Sequence, residues 1–138
     1  MAFAESLTAG LTSSAVGGVP GASLVLRGGA VTYVNDVKER VLGVEAATIA
    51  AYTEVSHETA REMAVGALGL FGSTCAVSLT GYAGPGGGSA SDPVGTVYIG
   101  YASEGFVTSE RFVFSGDRTA VRRQASLAAL RLALRINK

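Results

Sequence analysis

Met1-Ala2-Phe3-Ala4-Glu5-Ser6-Leu7-Thr8-Ala9-Gly10 opens the chain and decides how the rest is read. A short apolar run ends in an acid, two hydroxyls and a glycine. A strand that stops this way and then opens a helix brings nucleophiles and unpaired backbone N–H groups to one point. Such a point binds an anion or stabilises an oxyanion. The pattern predicts a strand over 1–5 and a helix from Ser6 to about Val16. Gly17-Gly18-Val19-Pro20-Gly21 ends that helix, because glycine supplies positive φ and proline cannot continue it. In open α/β sheets ligands gather beyond the carboxyl ends of strands, where Ser6 would lie. A plainer reading is also open, in which Ser6 or Thr8 is only a helix cap worth about 1 kcal/mol.

Working outward, Ser23–Tyr33 reads as a second strand carrying the pair Gly28-Gly29. Asn35 can cap a short helix through Leu42, and Glu45–Tyr52 forms another. Ser56 can cap a helix to about Phe71, with Ala60, Met63, Ala64, Ala67, Leu68 and Phe71 on one face. Cys75–Thr80 is a continuous apolar run, the pattern of a fully buried, parallel strand. Val94–Ala102 and Phe106–Phe114 alternate around Ser103-Glu104-Gly105 and predict an antiparallel hairpin. Asp117 or Ser115 caps a last long helix to about Ile136. The expected fold is an α/β layered domain with a mixed sheet.

The chain has 138 residues, which suits one domain over 1–138 with one core. Apolar residues make up 48% and charged residues 16%, which excludes a disordered chain. Eleven basic and eleven acidic side chains cancel, so neither nucleic acid nor an anionic membrane is the expected partner. The single cysteine, Cys75, makes no internal disulfide and no zinc cluster, and fits a reducing cytoplasm. The apolar stretches are too short for a transmembrane helix, and no basic n-region marks a secretory signal. Glycine takes 19 of the 138 positions, about twice the norm of about 7%, without a collagen-like period. These glycines are expected in turns and close backbone approaches.

Four segments carry candidate chemistry. Ser6 is the candidate nucleophile. Lys38, in Tyr33-Val34-Asn35-Asp36-Val37-Lys38, serves as a neutral amine base if it is desolvated and points at Ser6; otherwise it is a solvated helix lysine. The one histidine, His57, follows a helix cap, looks exposed and receives no role, so a Ser–His–Asp triad is not supported. Thr80-Gly81-Tyr82-Ala83-Gly84-Pro85-Gly86-Gly87-Gly88 is either a flexible connection or a binding loop with exposed N–H groups. It is no P-loop, because no Gly-Lys-Ser/Thr ends it. Arg118 in the first turn of the last helix opposes the macrodipole, which a phosphate or carboxylate ligand would explain. An exposed ion pair with Asp117 is the alternative. Together the parts suit a hydrolytic site for a phosphorylated substrate.

These segments resemble the C-terminal domain of the competence/damage-inducible CinA family, which includes nicotinamide mononucleotide (NMN) amidohydrolases. The resemblance rests on Ala4-Glu5-Ser6-Leu7-Thr8-Ala9-Gly10 (family AESCTGG), Gly29–Lys38, Val55-Ser56 and Thr80–Gly87 (family TGIAGPDGG). Pro93–Tyr98 and Phe114–Arg118 complete it, in order and over nearly the whole chain. It implies a three-layer α/β/α sandwich with a mixed, mostly parallel five-stranded sheet. It implies Ser6 as acyl-accepting nucleophile and Lys38 as its base. Thr8, Gly10, Tyr33, Asn35, Thr80, Gly81, Ala83, Gly84 and Arg118 would bind substrate. No metal or cofactor is implied, and the implied substrate is a phosphorylated nicotinamide nucleotide. A non-catalytic domain that holds a nucleotide or phosphometabolite is the alternative. The sequence departs from the family pattern at Leu7, Ala9 and Val34. Read from Met1, directly at the first strand, the chain is expected to be without the helix that usually precedes that strand in family members. One sheet face is therefore expected to be bare, and a homo-oligomer, most simply a dimer, to cover it.

Overall fold

The structure, a computed structural model, describes residues 1–138. In chain order the elements are β1 (Ala2–Glu5), α1 (Leu11–Gly17), a 3-10 turn (Ala22–Leu24), β2 (Gly28–Val31), α2 (Asn35–Leu42) and α3 (Ala46–Tyr52). They continue with α4 (His57–Phe71), β3 (Cys75–Gly81), β4 (Thr96–Ser103), β5 (Phe106–Val113) and α5 (Arg118–Ile136). The five strands form one sheet in the order β2-β1-β3-β4-β5. β1 runs parallel to both β2 and β3, whereas β3–β4 and β4–β5 are antiparallel. The sheet is therefore mixed but half antiparallel, which corrects the expectation of a mostly parallel one. The reason is local. After β3 no crossover helix intervenes before β4, and the short β4–β5 connection can join only antiparallel neighbours.

Helices cover both faces. On one side α1 and α5 pack on Phe3, Val77, Leu79, Val97, Ile99 and Tyr101, which alternate along β1, β3 and β4. Fully burying side chains of this kind contributes about 1.5–3 kcal/mol each. On the other side the strands present Ala2, Ala4, Ala76, Ser78 and Gly100, and α4 lies close against them. A Cβ on Gly100 would sit 2.2 Å from the Ala60 carbonyl oxygen, so only glycine admits α4 at this distance. The face expected to be bare is covered by α1 and α5 over β1, β3 and β4, while β5, Leu24 and Leu134 stay exposed at its margins.

Three local boundaries differ from the sequence reading. α1 starts at Leu11, not Ser6, because Ala9 (φ 47°) and Gly10 (φ 95°) turn left-handed and stop a helix from forming earlier. β2 is four residues long, not the whole of Ser23–Tyr33. It is an edge strand paired only with β1, and the chain before it folds into the 3-10 turn. At its start, Gly28 leaves room for the Phe71 ring and Gly29 for Ser13. Asn35 is the first residue of α2, not its cap. Val34 occupies the cap position, and no side chain caps the helix. The caps at Ser56, which accepts from the Thr59 N–H, and at Asp117, which accepts from the Ala120 N–H, form as the sequence predicts.

Candidate active site

β1 and β3 run side by side in the same direction, so their carboxyl ends deliver Ser6 and Thr80 to one edge of the sheet. The ladder continues one step further, with the Ser6 N–H donating to the Leu79 carbonyl at 3.0 Å. α2 brings Lys38 to the same place. Lys38 is only 1% exposed, and its Nζ lies 3.0 Å from Ser6 Oγ. Nζ also donates to the carbonyls of Thr32 (3.0 Å) and Tyr33 (3.1 Å). In the neutral amine those two carbonyls take both protons, which leaves the nitrogen lone pair facing the Ser6 hydroxyl. Burial lowers the Lys38 pKa from its ordinary 10.5 to about 8, and the negative charge of Glu54 opposes that shift. Arg118, which lines the same pocket, is not among the causes.

A pocket of about 200 Å³ opens over this pair. Ser6, Tyr33 and Lys38 line it, as do Thr80, Gly81, Ala83 and Gly84 of the glycine-rich loop and Arg118 of α5. Those eight of the expected site residues are therefore brought together. Arg118 forms no ion pair with Asp117. Instead it donates to the Gly84 carbonyl at 2.9 Å and to the Tyr33 hydroxyl at 2.6 Å, so it ties the two walls of the pocket across its mouth.

Thr8, Gly10 and Asn35 do not line the pocket. The reason for the first two lies in Glu5. Its buried carboxylate accepts from the N–H groups of Gly10 (3.1 Å), Thr12 (3.0 Å) and Ser13 (2.8 Å), and from the Ser13 hydroxyl (2.7 Å). Burial alone would raise this carboxyl; the Ser13 hydroxyl and the helix N–H groups outweigh it and hold it below the ordinary range. The N-terminus of α1 is thus already filled by the chain's own anion, and the expectation that it receives a ligand is corrected. Thr8 is fully buried beneath the turn. Asn35 is the first residue of α2 and is not among the residues that line the pocket. The N–H groups of Leu7 and Thr8, one step after Ser6, donate to no protein acceptor. Arg122 of α5 grips this turn from behind, donating to the carbonyls of Leu7 (2.8 Å) and Thr8 (3.0 Å).

Sequence reasoning missed Arg122, Tyr82 and Glu54. Arg122 lies one helical turn after Arg118 in α5, and that four-residue spacing was a usable signal. Glu54 directly precedes Val55-Ser56, a segment read for its cap and for the family resemblance but given no site residue. His57 is less exposed than expected: its Nδ1 lies 2.8 Å from Ser109 Oγ and its ring meets Tyr98 edge-on, away from the pocket.

A layered α/β domain with a buried serine–lysine pair at its sheet edge defines the class. The chain belongs to the CinA C-terminal domain family, whose model matches residues 1–136. It is 47% identical over 133 residues to nicotinamide-nucleotide amidohydrolase PncC of Enterobacter agglomerans, covering 96% of this chain and 81% of that protein. It is 46% identical over 138 residues to a CinA-like protein of Anaeromyxobacter sp. (strain Fw109-5), covering 98% of this chain but 34% of that one. The chain thus spans about a third of the length of such CinA relatives. Its fold matches the crystal structure of the competence/damage inducible protein CihA from Agrobacterium tumefaciens with a TM-score of 0.96 at 39% identity, covering 99% of this chain and 84% of that one. No helix is long and apolar enough to cross a membrane.

Proposed function

We propose that this protein is an amidohydrolase that converts nicotinamide mononucleotide to nicotinate mononucleotide and ammonia. The observation that carries this reading is the 3.0 Å contact between a buried lysine amine and the hydroxyl of Ser6 at the base of a pocket. The kinship with PncC supports the substrate.

Neutral Lys38 takes the proton of Ser6 as Oγ attacks the carboxamide carbon. The oxyanion that forms is held by the N–H groups of Leu7 and Thr8, which Arg122 fixes by holding the carbonyls of the same turn. Lys38 then returns the proton to the departing nitrogen, the C–N bond breaks, and ammonia leaves an ester on Ser6. Water, giving a proton to Lys38, attacks that ester. The C–O bond to Ser6 breaks, the serine oxygen regains a proton, and nicotinate mononucleotide is released. Arg118 exchanges its bonds to Gly84 and Tyr33 for the substrate phosphate.

Purified protein incubated with NMN tests this by ammonia release and by chromatography of nicotinate mononucleotide. Stoichiometric appearance of both products is expected. Saturable binding without ammonia would replace the reading with that of a non-catalytic nucleotide-binding domain.

A further inference from the structure

Glu54 is the only carboxylate that lines the pocket, which Lys38 and Arg118 also line. Its side chain makes no hydrogen bond and no ion pair, whereas Arg118 is held by the Gly84 carbonyl and the Tyr33 hydroxyl. The backbone around it is built with care. Thr53, directly before it, holds φ at 71°, a left-handed value that costs a β-branched residue of order 1–3 kcal/mol. Five contacts pin the distorted segment. The Thr53 hydroxyl donates to the Val55 carbonyl and accepts from the Val55 N–H, and the hydroxyls of Ser56 and Thr59 donate to the Thr53 carbonyl. The buried Thr80 hydroxyl then fixes the Glu54 carbonyl itself at 2.7 Å. Thr80, expected to bind substrate, therefore also sets where Glu54 stands. The Tyr82 ring lines the same wall, and Gly87 packs against it at a distance that a Cβ would close to 3.1 Å.

An unpaired carboxylate beside an aromatic ring at the reacting end of a pocket suits a flat cation. We propose that Glu54, with Tyr82, selects amides whose ring carries a fixed positive charge. The proposal rests on the amidohydrolase reading and adds a charge requirement to it. In a pyridinium carboxamide the quaternary nitrogen and the carbon bearing the amide belong to one ring. The group facing the reacting carbon's ring therefore also faces the charge. Glu54 acts on the ring and Arg118 on the phosphate, so the pocket matches a substrate that is cationic at one end and anionic at the other. A neutral-ring amide with the same phosphate would gain the Arg118 contact alone.

The test uses Ser6→Ala protein, which binds without turnover, and two ligands that differ in ring charge: NMN and its reduced dihydropyridine form. Calorimetry should show that adding Glu54→Gln weakens NMN binding by about ten-fold while changing the reduced form less than about two-fold. Glu54→Asp, which keeps the charge, should recover most of the discrimination. Equal weakening of both ligands, or no weakening of either, overturns charge selection. In that case NMN turnover by the wild-type protein leaves the amidohydrolase reading standing. Failure of the Ser6→Ala protein to bind NMN at all, with no turnover by the wild type, overturns both.

Discussion

Lys38 must report its buried amine in two independent ways, in stability and in rate. Its pKa is about 8 in the folded chain and 10.5 ordinarily. Between those values the unfolded chain holds a proton that the folded chain has released. Unfolding then takes up a proton, so stability rises with pH across this window, by up to about 1.36 kcal/mol per pH unit. The full rise from pH 8 to 10.5 amounts to about 3 kcal/mol. The sign is opposite to that of a lysine stabilised by an anionic partner, because burial here disfavours the charged form. Below pH 8 both states hold the proton and the slope from this group vanishes. Tyr82, Tyr98 and Tyr101 are raised by burial and pull stability down with pH, but only where unfolded tyrosine ionises, near the top of the window.

Denaturant unfolding of the wild type and Lys38→Met from pH 7 to 10 isolates the effect. The offset between them at pH 7 mixes two things: removal of a buried cation, and the cost of leaving the Thr32 and Tyr33 carbonyls without a donor, about 1–3 kcal/mol for an unsatisfied group. The slope does not mix them. The wild-type advantage should grow by about 2 kcal/mol between pH 8 and 10. In the rate, the lower limb of kcat/KM should turn near pH 8. His57→Gln should leave that limb in place. Parallel stability curves would refute the buried neutral amine. A limb lost in His57→Gln but kept in Lys38→Ala would move the proton transfer to His57.

The other predictions concern the site and the surface. Ser6→Ala and Lys38→Ala should each nearly abolish turnover and the double variant be little worse, since groups acting as a unit are non-additive; substantial activity in Lys38→Ala contradicts the pairing. Arg118→Ala should raise KM for NMN by about 1.5–3 kcal/mol equivalent and matter far less for nicotinamide riboside, which lacks the phosphate; equal loss on both removes Arg118 from phosphate binding. A dimer is expected from the apolar surface where Leu24 (89% exposed) and Leu134 (68%) flank a groove between the 3-10 turn and α5. Light scattering should show it, and a stable monomer at micromolar concentration would refute it. Ala9→Gly should leave turnover unchanged and alter stability by less than about 1 kcal/mol, because relief of the left-handed strain offsets the greater freedom of the unfolded chain.

Much of this architecture was legible because it is written in short-range patterns. The apolar run Cys75–Thr80, the hairpin around Gly105 and the caps at Ser56 and Asp117 each follow from neighbouring residues alone. What sequence could not supply were contacts across distance. Nothing local says that Glu5 folds back onto the helix that follows it, since a strand-terminal acid is equally at home in water. Nothing local says that Arg118 reaches Gly84 and Tyr33, or that Arg122 reaches Leu7 and Thr8 from the far end of the chain. The sheet's direction was misjudged for a related reason. A buried apolar run reads as parallel, yet β3 is parallel on one side and antiparallel on the other, and burial is the same for both.

The same long-range contacts explain why the departures at Leu7, Ala9 and Val34 are compatible with the site. The Leu7 side chain is buried in the core formed with α5, while its N–H is the part left unpaired beside Ser6. An apolar side chain there serves packing and leaves the backbone donor in place. Ala9 adopts φ 47°, which glycine would hold without strain, but its cost falls on a turn whose position Glu5 and Arg122 already fix from two sides. Val34 stands exposed at the cap of α2, and the contacts that place Lys38 go to the carbonyls of Thr32 and Tyr33, which any side chain at 34 preserves. The dyad is therefore held mainly by backbone groups and by residues the departures do not touch. A binding-only domain would have no need to keep a lysine amine buried 3.0 Å from a serine hydroxyl, at the cost that the pH dependence of stability measures.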